Sequence, residues 1–381
     1  MRLPNRLTVK TLLLFGARSG HLFADCSADL FLAMTRRGWN CVWVTRRPAI
    51  QQQLHQACFP CEIIGTPQHR SLLQRASAVI FSSQITDVCD DEMTLPEQTK
   101  VIFTGHGKSS KASSLKSNYH ANVDLMHSSI AFVSRRVTAA LAASTYRKTD
   151  LSVCYGIPLS KIAVTGHART DKLFDSRLRR ETLTDATRGS KRILYAPTWR
   201  KHGKMPQTRI FGFQDYDAAA LLRALDDDDI SLHIRPHIQD ERFNPSFIEE
   251  IATLQKASVR VQALPSSAIS DINNVLADFD ALITDYSSID DDFMLLDRPI
   301  AYAPFDFQEF ARVQGFIEDY GATRAGPIAT SFADVLTFIR QIASGHDPDR
   351  SKRSARFAKV HDFTDGRSTD RAIAAIEDVL S

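Results

Sequence analysis

The sequence has no uninterrupted run of about 20 apolar residues, the length a helix needs to cross a bilayer. It has no second CxxC beside Cys58 and Cys61, no clustered histidine pair, no internal repeat and no low-complexity tract. The missing ligands argue against a zinc centre. A redox pair is disfavoured too, because Cys61 opens the apolar run CEIIG rather than a helix. Charge of one sign is also lacking, with 47 Lys and Arg against 44 Asp and Glu, so no dedicated nucleic-acid binder is indicated. The opening MRLPNRLTVKTLLLFGAR puts a short apolar run after basic residues. That run is too short for a secretory signal and lacks a small-residue cleavage site, so it reads as a first buried strand. A cytoplasmic location is expected, with peripheral contact at the inner face of the cytoplasmic membrane left open.

What the chain does have is alternation. Apolar runs at 11–17, 40–46, 61–65, 78–83, 100–106 and 161–167 are separated by amphipathic stretches, and a second series follows at 192–198, 231–236, 259–264, 281–285 and 299–304. Continuous apolar strands between helices indicate parallel sheets covered on both faces. The fold class is therefore α/β, with two Rossmann-like doubly wound domains facing a cleft. The polar stretch 176–192 reads as the linker. The domains are placed at 1–180 and 190–345, with a helical segment at 346–381 that packs back on the first. The run DDDD at 226–229 reads as a solvated turn.

In open parallel sheets ligands sit at the carboxyl ends of the strands. Chemically capable residues stand there in the second half: Thr198, Trp199 and Arg200, then Arg235 and His237, then Asp285 to Ser288, then Phe305 and Asp306. In HIRPH, strand periodicity puts His233, Arg235 and His237 on one face, with Arg235 and His237 as donors to phosphate oxygens. Ser287 and Ser288 precede a helix whose first turn holds Asp290, Asp291 and Asp292, a place where free N–H groups receive an anion. Those three acids point in different directions and do not make a shared metal site. In the first half, His106 lies between Gly105 and Gly107, followed by Lys108 and Lys111, and is read either as a turn histidine or as a general base. Arg169 and Asp171, after Gly166 and His167, are candidates for the same cleft. Gly16, Ser19 and Gly20 lack the GxGxxG spacing and do not signal a dinucleotide. Arg135 and Arg136, and the cluster Arg350, Lys352 and Arg353, read as solvated surface or as contacts to anionic lipid.

Taken in order, these segments resemble the CDP-glycerol glycerophosphotransferase family of teichoic acid and capsule polymer synthesis. GHG with its following lysine resembles the family's WHG-x-x-x-K, and GHARTD its G-x-P-R-N-D. YAPTWR, RPH, TDYSS, RPIAYAPFDFQEF, GFIEDYGATRAGP and DGRSTDRAI resemble its later segments. Gly105, Ala168 and Thr170 stand where the family has Trp, Pro and Asn. The resemblance implies a GT-B fold, with the acceptor on the N-terminal domain and the nucleotide donor on the C-terminal one. It implies His106 as the base and Arg235 and His237 as ligands of the donor diphosphate, and His237 is counted with His106 among the candidate catalytic residues. Thr198, Arg200, Arg235, Asp285, Ser287 and Ser288 would hold the donor, with Asp365, Gly366 and Arg367 near it. Gly105, Gly107, Lys108, Arg169 and Asp171 fall on the acceptor side. A CDP-polyol donor, a glycan or lipid-linked acceptor and release of CMP follow. No cofactor is implied beyond Mg²⁺ carried in by substrate phosphates. A nucleotide-sugar glycosyltransferase and an inactive membrane-docking scaffold are the alternatives.

Overall fold

The computed structural model describes residues 11–90, 95–107, 111–117, 132–174, 189–200 and 205–381. Most of the expected linker at 176–192, and Lys108, lie outside them.

In chain order the elements begin β1 (Leu12–Gly16), α1 (Asp25–Arg36), β2 (Asn40–Thr45), α2 (Pro48–Gln56), β3 (Cys61–Ile63), α3 (Pro67–Arg75) and β4 (Ala78–Phe81). β5 (Lys100–Phe103), β6 (Ala139–Ala142), α4 (Thr145–Tyr155), β7 (Ile162–Val164) and β8 (Lys191–Tyr195) follow. Then come α5 (Ala218–Asp227), β9 (Ile230–Ile234), α6 (Ile238–Phe243), α7 (Pro245–Ala257), β10 (Val261–Ala263) and β11 (Ala281–Thr284). The chain closes with α8 (Ile289–Met294), β12 (Ile300–Tyr302), α9 (Phe307–Val313), α10 (Phe332–Ser344), α11 (Arg350–Val360) and α12 (Ser368–Leu380). Local chemistry sets many of the helix starts. Proline opens α2, α3 and α7, and Ser144, Asp217 and Ser331 accept backbone N–H bonds at the starts of α4, α5 and α10.

Two compact units divide the chain: Met1–Gly107 with His120–Phe174 and Val360–Ser381, and Lys108–Tyr119 with Asp175–Lys359. The first holds a seven-stranded parallel sheet in the order β3-β2-β1-β4-β5-β6-β7. Leu12 and Leu14 of β1 join one buried cluster, and Leu13 and Phe15 the other, so both faces of the sheet are covered. α12 adds Ala372, Ile373 and Ile376 to the second cluster. The second unit holds a five-stranded parallel sheet in the order β10-β9-β8-β11-β12. In each sheet the strand order reverses beside the first strand, between β1 and β4 and between β8 and β11. Those are the topological switch points where ligands of doubly wound folds collect.

Three local expectations are corrected. β6 was not anticipated, because AALA carries no β-branched residue and reads as helix. The strand in HIRPH ends at Ile234. His233 turns inward, with its Nε2 3.2 Å from Ser231 Oγ and its ring edge-on to Phe279, while His237 caps α6. The basic cluster near 350 is not all surface, as both readings of it required, although Arg350 and Lys352 are exposed. Arg353 is buried against Asp347 and Asp297, Arg350 pairs with Asp297, and Lys352 donates to the Gly326 carbonyl.

Candidate functional site

In the first unit, polar groups collect where β1, β4 and β5 end. A Cβ on Gly16 would lie 2.0 Å from the Asp87 carbonyl oxygen, so only glycine lets the loops after β1 and β4 come this close. The chain then passes through left-handed conformations at Arg18 (φ 50°) and Ser19 (φ 53°), a strained turn of the kind found at functional sites. The buried Asp87 carboxylate holds it. Oδ1 accepts from Ser19 N at 2.7 Å, and Oδ2 accepts from Ser82 N at 3.1 Å and Ser83 N at 2.7 Å. Burial pushes Asp87 up to about 6 in spite of these donors. Arg18 forms a two-pronged pair with Asp25, at 2.6 and 3.1 Å, and buried Arg169 approaches Asp25 to 3.7 Å. Burial alone would raise Asp25, but Arg18, Arg169 and His106 outweigh it and the net direction is down.

His106 Nδ1 lies 3.2 Å from the Ser82 carbonyl oxygen. A carbonyl only accepts, so Nδ1 carries the proton and Nε2 keeps its lone pair. Burial first, and Arg18 second, push the imidazole down to about 3, so it is neutral at physiological pH. The flanking Gly105 (φ 66°) and Gly107 (φ 96°) are both left-handed, and among the described residues nothing lies within 4 Å of a Cβ placed on Gly105.

In the second unit the ends of β8, β11 and β12 converge on one guanidinium. Arg200 was expected to touch the donor directly. Its side chain is instead fully buried and committed to carboxylates. Nη1 donates to Asp285 at 2.6 Å and to the Thr198 carbonyl, while Nε and Nη2 donate to Asp306 at 2.8 and 2.7 Å. The rings of Tyr286 and Phe305 lie 5.0 and 4.9 Å from the guanidinium carbon, adding a cation–π component. Asp285 also accepts from Thr198 N at 2.8 Å and Tyr286 N at 2.5 Å, and Tyr286 OH donates to Asp306 at 3.0 Å. Thr198 and Asp285 are thereby locked in place, and Thr198 Oγ1 is buried without a hydrogen-bond partner among the described residues.

Around this clamp, His237 Nδ1 accepts from Gln239 N at 3.2 Å, which leaves Nε2 as its N–H nitrogen. Its ring is near-parallel to that of Trp199, 6.1 Å away. Arg235 is half-buried and donates to the Leu264 carbonyl at 2.8 Å. Ser288 occupies the N-cap position of α8 without a side-chain cap bond, and Ser287 Oγ lies 3.5 Å from Ile289 N. The acids that follow do more than complement a helix end. Asp290 is buried between Arg324 Nη1 at 3.1 Å and Tyr302 OH at 3.2 Å. Among the described residues, no group of three His, Cys, Asp or Glu is placed to hold a metal ion.

Two motifs expected at the site turn out to bind each other within the first unit. Asp171 accepts from Ser368 N at 2.8 Å and Thr369 N at 2.7 Å, capping α12. Gly366 packs against Phe174, Arg371 Nε donates to the Thr165 carbonyl at 2.9 Å, and a Cβ on Gly166 would strike Ser368 Oγ at 2.2 Å. Asp365 is tied to Arg371 at 2.8 Å and held down at about 2 by that bond, and Arg367 Nε lies 3.6 Å from Asp370. Asp171 and Gly366 thus belong to a structural latch joining GHARTD to DGRSTD, while Asp365 and Arg367 pair within the second segment and leave 49% and 70% of their side chains exposed. Arg18, Asp25, Ser82 and Asp87 were missed, although the strand-end rule that located Thr198 and Asp285 would have found them if applied to β1 and β4.

Two Rossmann-like parallel units, each with its polar residues gathered at the switch point, define the GT-B class of α/β fold. Solved structures agree on the fold. The wall teichoic acid polymerase TagF, in a histidine-to-asparagine variant soaked with CDPG, superposes with a TM-score of 0.74 at 17% identity, over 97% of this chain and 89% of that one. A UDP-N-acetylglucosamine 2-epimerase from Listeria monocytogenes gives 0.63 at 14% identity, over 97% and 96%. The profile of the CDP-Glycerol:Poly(glycerophosphate) glycerophosphotransferase family matches residues 2–378, and the chain belongs to that family. A teichoic acid glycerol-phosphate transferase of Staphylococcus aureus is 25% identical over 64% of this chain and 61% of its own length. A teichoic acid poly(ribitol-phosphate) polymerase of Bacillus spizizenii is 27% identical over 54% and 32%. The chain therefore spans less than two thirds of the length of these curated relatives.

Proposed function

We propose that this protein transfers a polyol phosphate, glycerol or ribitol phosphate, from a CDP-linked donor to a hydroxyl of a glycan or lipid-linked acceptor in cell-envelope polymer synthesis. In this reading the first unit serves the acceptor and the second the nucleotide. The acceptor hydroxyl gives its proton to His106 Nε2 as its oxygen attacks the phosphorus that bears the polyol. The bond from that phosphorus to the bridging oxygen breaks, and CMP leaves with the electron pair. His237 Nε2–H, Arg235, Thr198 and the Ser287 and Ser288 hydroxyls donate to phosphate oxygens, while Arg200 positions Thr198 and Asp285 from below. Phosphoryl transfer asks mainly for such positioning and charge stabilisation.

The observation that carries the reading is the His106 imidazole in a chain of this family: neutral, with its lone pair on Nε2. A base held near 3 is weak in the free protein. Part of that depression comes from Arg18, and an incoming phosphate anion offsets it, raising the proton affinity as substrate binds. Among the described residues no helix is long and apolar enough to cross a membrane.

The test is CMP release from CDP-glycerol and CDP-ribitol in the presence of a polyol-phosphate primer. Wild type should release CMP, and a folded His106→Gln variant should be slower by at least ~100-fold. Undiminished turnover in the variant removes the base. A nucleoside diphosphate released from a nucleotide sugar would replace the phosphotransferase by a glycosyltransferase.

A further inference from the structure

Ser82 is completely buried, and each of its polar groups is engaged. Its N–H donates to Asp87 Oδ2 at 3.1 Å, its Oγ donates to Asp25 Oδ2 at 3.2 Å, and its carbonyl receives His106 Nδ1–H at 3.2 Å. The direction of that carbonyl decides which imidazole nitrogen carries the proton, and the N–H end of the residue is held by one side chain, Asp87. The same carboxylate reaches across to Ser19 N on its other oxygen, so one group sets both the loop after β1 and the loop after β4.

We propose that Asp87 is a positioning residue for the transfer reaction, orienting Ser82 so that His106 is held with its proton on Nδ1 and its lone pair on Nε2. The proposal rests on the reading of His106 as the base. Its physical ground is the choice of residue. Donors converge on both carboxyl oxygens, Ser19 N on one and Ser82 and Ser83 N on the other, and among the described residues no ion pair neutralises the buried charge. An asparagine offers one acceptor oxygen and must turn its NH₂ toward an N–H on the other side. A leucine would fill the space and leave at least three N–H groups unpaired. Only a carboxylate matches the donors on both sides, and ionising it costs the fold, as its raised titration shows. A local structural alternative exists, since Asp87 also completes the cap of the short turn Ile85–Asp87 with Gln84. That turn alone needs only one oxygen, and it makes no demand on His106.

The test uses the full chain labelled with ¹⁵N-histidine, in wild type and in Asp87→Asn, with His106→Gln to assign the resonance. The long-range ¹H–¹⁵N pattern reports which ring nitrogen is protonated, independently of turnover. Wild type should show the Nδ1–H tautomer. Asp87→Asn should show a mixture, and its kcat for CMP release should fall by roughly 10–100-fold while the KM for the CDP-linked donor changes less than about threefold. Should Asp87→Asn fold poorly, Asp87→Glu keeps both oxygens but shifts them by one methylene, and it should disturb the tautomer and kcat in the same sense. A folded variant that keeps a pure Nδ1–H tautomer and wild-type kcat overturns the proposal. If His106→Gln stays active, the base reading fails by itself, and the tautomer in Asp87→Asn still reports whether Asp87 orients the ring.

Discussion

Replacing Arg200 by methionine removes the cation at the centre of the second unit's polar edge while keeping much of its volume. The Arg200 side chain has no solvent exposure, and those of Asp285 and Asp306 have 2% each. Breaking a buried pair by deleting one partner costs about 3–5 kcal/mol, because the remaining charge is left uncompensated. The two acids will not suffer equally. Asp285 keeps the N–H groups of Thr198 and Tyr286, whereas the Asp306 carboxylate, apart from Arg200, keeps the Tyr286 hydroxyl among the described residues. The loss should therefore centre on Asp306, and Arg200→Met/Asp306→Asn should recover stability relative to Arg200→Met alone. At roughly 2–4 °C per kcal/mol for a unit of this size, Arg200→Met should lower the unit's calorimetric transition by about 6–20 °C. Arg200→Lys, which keeps a charge but loses the planar fork, should fall between. A transition within 2 °C of wild type, or no recovery in the double variant, would refute the claim that this cluster holds the strand ends together.

Two further outcomes test the first unit. His106 is neutral in the folded chain down to about 3 but protonates near its ordinary value when unfolded. Between those pH values the unfolded state binds the extra proton, so this group's contribution to stability rises with pH and is lost as pH falls through the window. The difference in unfolding free energy between wild type and His106→Gln should change by up to about 1.4 kcal/mol per pH unit there, and a pH-independent difference in urea titrations would contradict the assignment. The latch between GHARTD and DGRSTD predicts that Asp171→Ala removes the α12 cap at a cost of about 0.5–2 kcal/mol. Gly166→Ala should cost more, because it adds a Cβ at φ 79° against Ser368. Faster hydrogen exchange in α12 should accompany both, and unchanged protection there would show that the latch does not hold the helix.

Much of the architecture is legible in the chain itself. Runs such as LLLFG and AVIF are apolar at every position because both faces of a parallel sheet are covered, and eleven of the twelve strands fall on apolar-rich runs of this general kind. β6 did not, since four small residues carry no period that separates strand from helix. Strand ends could be read as well, because loops at the carboxyl edge must be polar to meet a ligand, and Thr198, Asp285 and His106 were located from that rule. Sequence could not divide those polar residues into ones that meet substrate and ones that meet each other. Arg200 and Asp171 look like ligand contacts in one dimension. Asp306, 106 residues from Arg200, and Ser368, 197 residues from Asp171, claim them in three. Tertiary structure also decided the tautomers of His106 and His237. A ring nitrogen's proton follows its nearest partner, and those partners, the Ser82 carbonyl and the Gln239 N–H, are backbone groups that every residue type carries alike.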